Sequence, residues 1–213
     1  MDLKLVIFDC DGVLVDTEPV TDRLIAASLT AHGFPIAPEE TGALFIGGTI
    51  DGIRAEVGRR GVTLPEDWVD RTYEAMFAEL AKGVPVIDGV FALLDRLETA
   101  GVQTAIASNG PLRKMEITLT PSGLLDRFAG RIHSGHDHPP KPDPAMIRLA
   151  MRAADVGPDQ TVFIDDSVTG ARAGLAAGVR TLGFVPHGDD GSRAALGITP
   201  LRSMAEIADV LGV

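Results

Sequence analysis

The chain has 213 residues, of which 45% are hydrophobic and 23% are charged, the balance of a folded globular protein and not of a disordered one. Its net charge of −11 argues against nucleic acid or an anionic membrane as the main partner, because both select basic surfaces. A single cysteine excludes an internal disulfide, and no apolar run is long enough to cross a bilayer, so we expect a cytoplasmic protein.

Short apolar runs and amphipathic stretches alternate along most of the chain. The first run, residues 3–8, ends at the acidic turn Asp9–Cys10–Asp11–Gly12. Later runs predict strands at residues 103–107, 131–134, 161–164 and 180–184, and the stretches between and after them predict helices at 90–100, 111–119, 144–154, 168–177 and 203–211. This alternation predicts an α/β fold, a doubly wound parallel sheet with buried strands.

One segment interrupts the alternation. Residues 17–84 have helical periodicity at 26–32, 50–60 and 67–81 and contain no convincing strand. We therefore expect two domains, a sheet domain of residues 1–16 and 85–213 and an α-helical domain of residues 17–84 inserted after the first strand.

Polar residues follow four of the predicted strands at their carboxyl ends. They are Asp9 and Asp11, then Ser108–Asn109–Gly110, then Lys141, and finally Asp165–Asp166. Parallel sheets bind ligands beyond the carboxyl ends of their strands. The sequence therefore predicts that these distant positions meet at one edge of the sheet.

The residue types at this edge restrict its chemistry. Bringing Asp9, Asp165 and Asp166 together is costly unless a cation neutralises them. Oxygen ligands without histidine or cysteine favour Mg²⁺ over zinc. A carboxylate beside Mg²⁺ can attack phosphorus and form an aspartyl phosphate. The pattern predicts a phosphohydrolase of a small phosphorylated metabolite, with Asp9 as the group that receives the phosphoryl group.

The remaining residues have complementary roles in this hypothesis. The Lys141 ammonium, the Ser108 hydroxyl and backbone N–H groups around Asn109–Gly110, which we expect to open a helix, would hold phosphate oxygens. Asp11, two residues after Asp9, can protonate the leaving alcohol and later take a proton from water.

Four motifs resemble those of the haloacid dehalogenase superfamily, in its order and spacing. They are residues 9–17, 107–110, 141–144 and 164–167. The resemblance implies that Asp9 is the nucleophile and Asp11 the acid/base. It also implies that Mg²⁺ is bound by Asp9, the Asp11 backbone carbonyl and the Asp165–Asp166 pair, with Asp166 in direct contact. The sheet domain would be a Rossmann-like catalytic core, and the insert a helical cap that closes over the site.

Within the superfamily, the chain is similar to the β-phosphoglucomutase-like group. Mutases of this group carry an Arg after the Gly-x-Ser/Thr step of the cap loop and a His shortly after the first motif. Here Ile50 follows Gly47–Gly48–Thr49, and Thr21 is nearest the place of the His. The loops at residues 108–115 and 165–171 resemble those of bacterial 6-phosphogluconate phosphatases, which implies a phosphorylated sugar or sugar acid as substrate.

Three alternatives remain beside the phosphatase hypothesis. A phosphosugar mutase would use the same phosphoryl transfer, but Ile50 and Thr21 stand where mutases of this group carry an Arg and a His. A 2-haloacid dehalogenase needs no metal and normally lacks the second aspartate, so Asp11 and Asp165–Asp166 argue against it. A phosphoacceptor signalling domain presents its acidic pair first and its lysine last, whereas Asp165–Asp166 come last here.

Substrate choice is expected to depend on the cap and on one nearby loop. In the cap we select Glu18, Gly48, Thr49 and Arg54, and near Lys141 we select His136. The group His133, His136 and His138 is interpreted as a polar loop beside the cleft and not as a transition-metal site, because the acidic edge suits a hard cation. Cys10 should point away from the two aspartates and pack. The sequence leaves the oligomeric state open, and we expect a monomer.

Overall fold

Six parallel strands form the sheet in the computed structural model, which describes residues 2–45, 49–188 and 191–213. The strands are β1 (Leu5–Phe8), β2 (Gln103–Ser108), β3 (Ile132–Ser134), β4 (Thr161–Asp165), β5 (Arg180–Phe184) and β6 (Thr199–Leu201). Their spatial order is β3-β2-β1-β4-β5-β6, and every neighbouring pair is parallel. The predicted α/β parallel sheet is confirmed, and β6 extends it by an edge strand that the sequence did not indicate.

Helices cover both faces of this sheet. They are α5 (Val90–Thr99), α6 (Leu112–Leu119), α7 (Leu124–Arg127), α8 (Ala145–Ala154), α9 (Val168–Ala177) and α10 (Met204–Leu211). The side chains of β1 alternate between the faces, as in any strand. Val6 and Phe8 pack in the cluster that contains α5 and α10, and Leu5 and Ile7 pack in the cluster that contains α8. Each large apolar side chain buried in this way contributes about 1.5–3 kcal/mol.

Four further helices lie between β1 and α5. They are α1 (Glu18–Ala31), α2 (Pro38–Phe45), α3 (Ile50–Arg59) and α4 (Trp68–Leu80). They have a hydrophobic cluster of their own around Trp68, which is 2% exposed and donates a 2.9 Å hydrogen bond from Nε1 to Ser28 Oγ. These helices therefore have a hydrophobic cluster of their own, while Met76, Phe77 and Leu80 of α4 pack with Ile117 of α6.

Two chain segments connect the insert to the sheet, and they lie side by side. Asp16 N donates to Pro85 O at 2.9 Å, and Ile87 N donates to Leu14 O at 3.0 Å. Because both connections are tied together at this point, the acidic turn after β1 and the start of α1 are held at the same edge of the sheet.

Several elements differ from the sequence-based expectation. Helix α1 begins at Glu18 and not at residue 26, because Glu18 and the proline after it suit the first turn of a helix. Helices α2 and α7 were not predicted. Helix α6 begins at Leu112, after Pro111, so Asn109–Gly110 precede the helix and do not open it. No helix in the described ranges is both long and apolar enough to cross a membrane.

Candidate active site

Three carboxylates meet at the carboxyl ends of β1 and β4. Asp9, Asp165 and Asp166 each offer one oxygen, and these oxygens lie within 4.8 Å of one another. Asp9 is 6% exposed, and its backbone N donates to Ile164 O at 2.8 Å, which fixes the end of β1 beside β4. The structure thus brings together acidic residues that are more than 150 positions apart in sequence.

Lys141 lies between two of these carboxylates. Its Nζ is 2.9 Å from Asp9 Oδ1 and donates a 2.6 Å hydrogen bond to Asp165 Oδ2. Burial opposes the charge on this ammonium, but the two carboxylates outweigh it and raise the pKa of Lys141. The lysine is therefore a fixed cation at the base of the site.

Asp165 uses both oxygens within the protein. Oδ2 accepts from Lys141, and Oδ1 accepts from Ser167 N at 2.8 Å and from Ser167 Oγ at 2.7 Å. A Cβ on Gly170 would lie 1.9 Å from the Asp165 carboxyl carbon, so only glycine allows this close approach. Asp165 is thereby engaged in holding Lys141, which leaves Asp9 and Asp166 as the better placed cation ligands.

The electrostatics of the cluster fit a divalent cation. Burial, together with the charges of Asp165 and Asp11, raises the pKa of Asp9 to about 7 against the opposing charge of Lys141. Burial and the charges of Asp165 and Asp9 likewise hold the pKa of Asp166 well above its ordinary value. These shifts record the cost of crowding carboxylates, which a cation with oxygen ligands relieves. Within the described ranges, this is the one group of three acidic, His or Cys ligands close enough to hold a metal.

Asp11 has two partners on one oxygen. Its Oδ1 accepts from Thr17 Oγ1 at 2.6 Å and lies 2.8 Å from Lys114 Nζ. Burial alone would raise the pKa of Asp11, but Lys114 and Thr17 more than offset this and bring the pKa below its ordinary value. Lys114 is 8% exposed and was not selected from the sequence. Its position one turn after the Ser108–Asn109–Gly110 motif was the signal that could have identified it.

The loop after β2 positions Lys141 and bounds the site. The Asn109 side chain accepts from Lys141 N at 2.7 Å and donates to Lys141 O at 3.1 Å. Ser108, which is 1% exposed, accepts from Gly110 N at 3.1 Å. Ser134 in turn donates to Gly110 O at 2.8 Å. This network holds the Ser108 hydroxyl and the Lys141 ammonium at the same edge of the sheet.

A cavity of about 130 Å³ lies between this edge and the inserted helices. The sheet domain contributes Asp9, Asp11, Ser108, Lys114 and Lys141, among others, to its wall. Facing them, the insert contributes a wall of hydroxyl, acidic and apolar groups, which includes Glu18, Thr21, Asp22, Thr49, Ile50 and Met76. A small molecule bound here would contact both the sheet edge and the inserted helices.

The residues that the sequence suggested as determinants of substrate choice do not all lie at the cavity. Glu18 and Thr49 line the cavity, and the side chains of Glu18 and Asp166 both lie beside Gly12. The structure does not bring Arg54 to the cavity, because its guanidinium donates to Glu66 O at 3.2 Å on another face of the insert. His136 also lies outside the cavity wall, where its Nε2 is 2.9 Å from the Tyr73 hydroxyl. Gly48 lies outside the described residues.

The other sequence features have structural roles. Cys10 is fully buried in the core of the sheet domain, as its alternation with the aspartates predicted. His133 and His138 have ring centroids 6.3 Å apart, and the histidines form no three-ligand group in the part of the chain that the structure describes.

Comparison with known proteins is consistent with this geometry. The haloacid dehalogenase-like hydrolase family matches residues 3–178. The 6-phosphogluconate phosphatase of Escherichia coli strain K12 is 34% identical over 190 residues, which cover 87% of this chain and 85% of that protein. The N-acetylmuramic acid 6-phosphate phosphatase of Pseudomonas aeruginosa is 32% identical, with 85% and 81% covered. A haloacid dehalogenase-like protein from Agrobacterium tumefaciens has a solved structure with a TM-score of 0.85 at 32% identity, with 99% and 98% covered.

Proposed function

This chain belongs to the haloacid dehalogenase-like hydrolase family and is a phosphatase, and we propose that it hydrolyses a small sugar or sugar-acid phosphate with Mg²⁺ through phosphorylated Asp9. The observation that carries the proposal is the position of Lys141, whose Nζ lies 2.9 Å from Asp9 Oδ1 at the floor of the cavity. A carboxylate held beside a fixed cation and a hydroxyl such as that of Ser108 is arranged to meet a phosphate group.

The first half-reaction transfers the phosphoryl group to the protein. A carboxylate oxygen of Asp9 forms a bond to phosphorus, and the bond from phosphorus to the sugar oxygen breaks. The departing oxygen takes a proton from Asp11. Lys141, Ser108 and Lys114 lie where they can bind the phosphate oxygens. Mg²⁺ at Asp9, Asp166 and the backbone carbonyl of Asp11 would supply positive charge for the same oxygens.

The second half-reaction returns Asp9 to its carboxylate form. Water forms a bond to phosphorus while Asp11 accepts one of its protons, and the bond from phosphorus to Asp9 breaks to release inorganic phosphate. The lowered pKa of Asp11 suits this step, because the group is ionised when water attacks. For the first step the pKa must rise, and a phosphate dianion beside Lys114 and Lys141 raises it by offsetting their charge.

The substrate class rests on the relatives and on the cavity. Two similar proteins are phosphatases of 6-phosphogluconate and of N-acetylmuramic acid 6-phosphate, both phosphorylated sugar derivatives. The insert wall offers hydroxyl and carboxylate groups, such as those of Thr21 and Asp22, that can bind sugar hydroxyls. A phosphorylated sugar derivative therefore fits both observations.

Phosphate release tests the proposal directly. The substrates are a panel of sugar phosphates, sugar-acid phosphates and p-nitrophenyl phosphate, each assayed with Mg²⁺ and with EDTA. We expect release that depends on Mg²⁺ and that is lost in Asp9→Asn, with the far-ultraviolet circular dichroism unchanged. Phosphate release that is equal with Mg²⁺ and with EDTA would contradict a role for the metal. Full activity in Asp9→Asn would contradict Asp9 as the nucleophile.

A further inference from the structure

Two polar groups on the insert wall of the cavity have no protein partner. The Thr21 hydroxyl oxygen is buried and makes no hydrogen bond to any described residue. Asp22, the next residue on α1, also lines the cavity, and no described residue donates a hydrogen bond to its carboxylate. Buried polar groups in proteins are almost always hydrogen-bonded, so groups left open in a binding cavity are available to a ligand.

The neighbouring polar groups of the same wall are already engaged. Thr49 Oγ1 accepts from Gly52 N at 3.1 Å, as the N-cap of α3. Thr41 Oγ1 donates to Ala37 O at 3.1 Å, and the Tyr73 hydroxyl is 2.9 Å from His136 Nε2. Among the described polar residues of the wall, Thr21 and Asp22 thus differ from Thr41, Thr49 and Tyr73 in making no hydrogen bond.

The insert wall carries the carboxylates of Glu18 and Asp22, and no described residue of the insert adds a basic side chain to the cavity lining. The described residues that line the cavity include five carboxylates and two lysines, Lys114 and Lys141. Lys114 is paired with Asp11 and Lys141 with Asp9 and Asp165, all in the sheet domain. The residues outside the described ranges are Met1, Ile46, Gly47, Gly48, Asp189 and Asp190, and none has a basic side chain.

The pKa of Asp22 is consistent with a negatively charged wall. Burial, together with the charges of Glu18 and Glu39, raises this pKa to about 6 against the opposing charge of Lys114. A second anionic group of a substrate, placed at this end of the cavity, would meet the same negative field. A hydroxyl group would instead donate a hydrogen bond to the carboxylate, which can only accept.

We propose that Asp22 and Thr21 select a phosphorylated polyol or sugar that is neutral apart from its phosphate, by binding its hydroxyl groups and by disfavouring a carboxylate or second phosphate. The apolar residues Ile25, Ile50 and Met76 on the same wall suit the C–H groups of such a molecule. This inference rests on the proposed function and narrows its substrate class. It separates sugar and sugar-alcohol phosphates from sugar-acid phosphates, and so departs from the two relatives, whose named substrates are sugar acids.

The test compares two substrates that differ at one carbon. Glucitol 6-phosphate carries a hydroxymethyl group at the position where 6-phosphogluconate carries a carboxylate. We expect the wild-type kcat/KM to be at least about tenfold higher for glucitol 6-phosphate, and we expect Asp22→Asn to bring the ratio toward one. Both substrates are assayed on one preparation, so a partly folded variant changes both values equally and leaves the ratio unaffected.

Two further variants complete the test. Thr21→Val, which removes the hydroxyl at constant shape, should lower kcat/KM for glucitol 6-phosphate about tenfold. Asp70→Asn, which neutralises an exposed aspartate of α4 outside the cavity, should leave the substrate ratio unchanged. Three outcomes would overturn the inference. The first is a wild-type kcat/KM on 6-phosphogluconate equal to or greater than that on glucitol 6-phosphate, and the second is a ratio of these two values that is unaltered in Asp22→Asn. The third is a wild-type preference for glucosamine 6-phosphate over glucitol 6-phosphate that is lost in Asp22→Asn. No release even from p-nitrophenyl phosphate would instead overturn the proposed function.

Discussion

Lys114 Nζ lies 2.8 Å from Asp11 Oδ1, so the carboxylate that we assign to proton transfer is held by a buried cation from the first turn of α6. The same oxygen accepts a hydrogen bond from Thr17 at the start of the insert. Asp11 is therefore oriented from both domains at once, and its second oxygen is left for chemistry.

The role of Lys114 can be tested by removing its charge. In Lys114→Met, Asp11 loses the cation that orients it, and we expect kcat/KM for p-nitrophenyl phosphate to fall about a hundredfold, as for a misplaced catalytic group. Lys82→Met is the matched control, because Lys82 is exposed and, among the described residues, forms an ion pair with Glu79 of the insert alone. An equal loss of kcat/KM in both variants, or no loss in Lys114→Met, would contradict the role of Lys114 in orienting Asp11.

Replacing Asp11 should affect substrates according to their leaving groups. Asp11→Asn cannot donate a proton, so hydrolysis of a sugar phosphate should slow by about a thousandfold. p-Nitrophenolate needs less help to depart, so its kcat/KM should fall by only about tenfold. The comparison uses kcat/KM on both substrates, because kcat/KM reports the steps up to departure of the leaving group and excludes the second half-reaction, which both substrates share. An equal loss on both would mean that Asp11 does not protonate the leaving group.

We predict that glycine at position 12 is required for the metal site as well as for the backbone conformation at that position. Its φ is +73°, and a Cβ there would lie 2.5 Å from Asp166 Oδ2. Gly101 is the matched control, with φ +70° and nothing within 4 Å of a Cβ. Alanine at either position should cost about 1 kcal/mol of unfolding free energy from backbone strain. Only Gly12→Ala should also raise the Mg²⁺ concentration needed for half activity, by about tenfold or more. The same Mg²⁺ dependence in both variants would contradict this prediction.

The motifs that follow strands could be read from the sequence, whereas the residues within helices could not. Asp9, Ser108 and Asp165 directly end apolar runs, so their meeting at one sheet edge follows from parallel topology. Lys114 and Asp22 are charged residues in amphipathic helices, where such residues usually face solvent. In the folded chain Lys114 is buried and Asp22 half-buried, and both line the cavity between the insert and the sheet edge.

The missed elements have local causes. Strand β6 has three residues and contains Pro200, which is tolerated at a sheet edge but weakens any strand pattern. Helix α7 has four residues, too few for a helical period to be recognised. Arg54 was selected for its charge alone, and its hydrogen bond to Glu66 O depends on the path of the loop before α4.

The preference between neutral and acidic substrates should depend on pH. The pKa of Asp22 is raised to about 6, so its carboxylate is charged above that pH and neutral below it. The ratio of kcat/KM for glucitol 6-phosphate to that for 6-phosphogluconate should therefore fall as the pH is lowered from about 7.5 to about 5. Both substrates carry the same phosphate ester, so its own titration cancels in the ratio. The ratio should not vary with pH in Asp22→Asn, and a ratio that rises toward low pH in wild type would contradict the assignment.

Detection of the phosphorylated protein tests the central claim most directly. The enzyme is mixed with Mg²⁺ and substrate, quenched in acid within milliseconds, digested and analysed by mass spectrometry. We predict one phosphoryl group on the peptide that contains Asp9, located at Asp9 by fragmentation and absent from Asp9→Asn. Efficient turnover with no label at Asp9 in quenched samples across the time course, or a label on a different residue, would contradict a mechanism through Asp9.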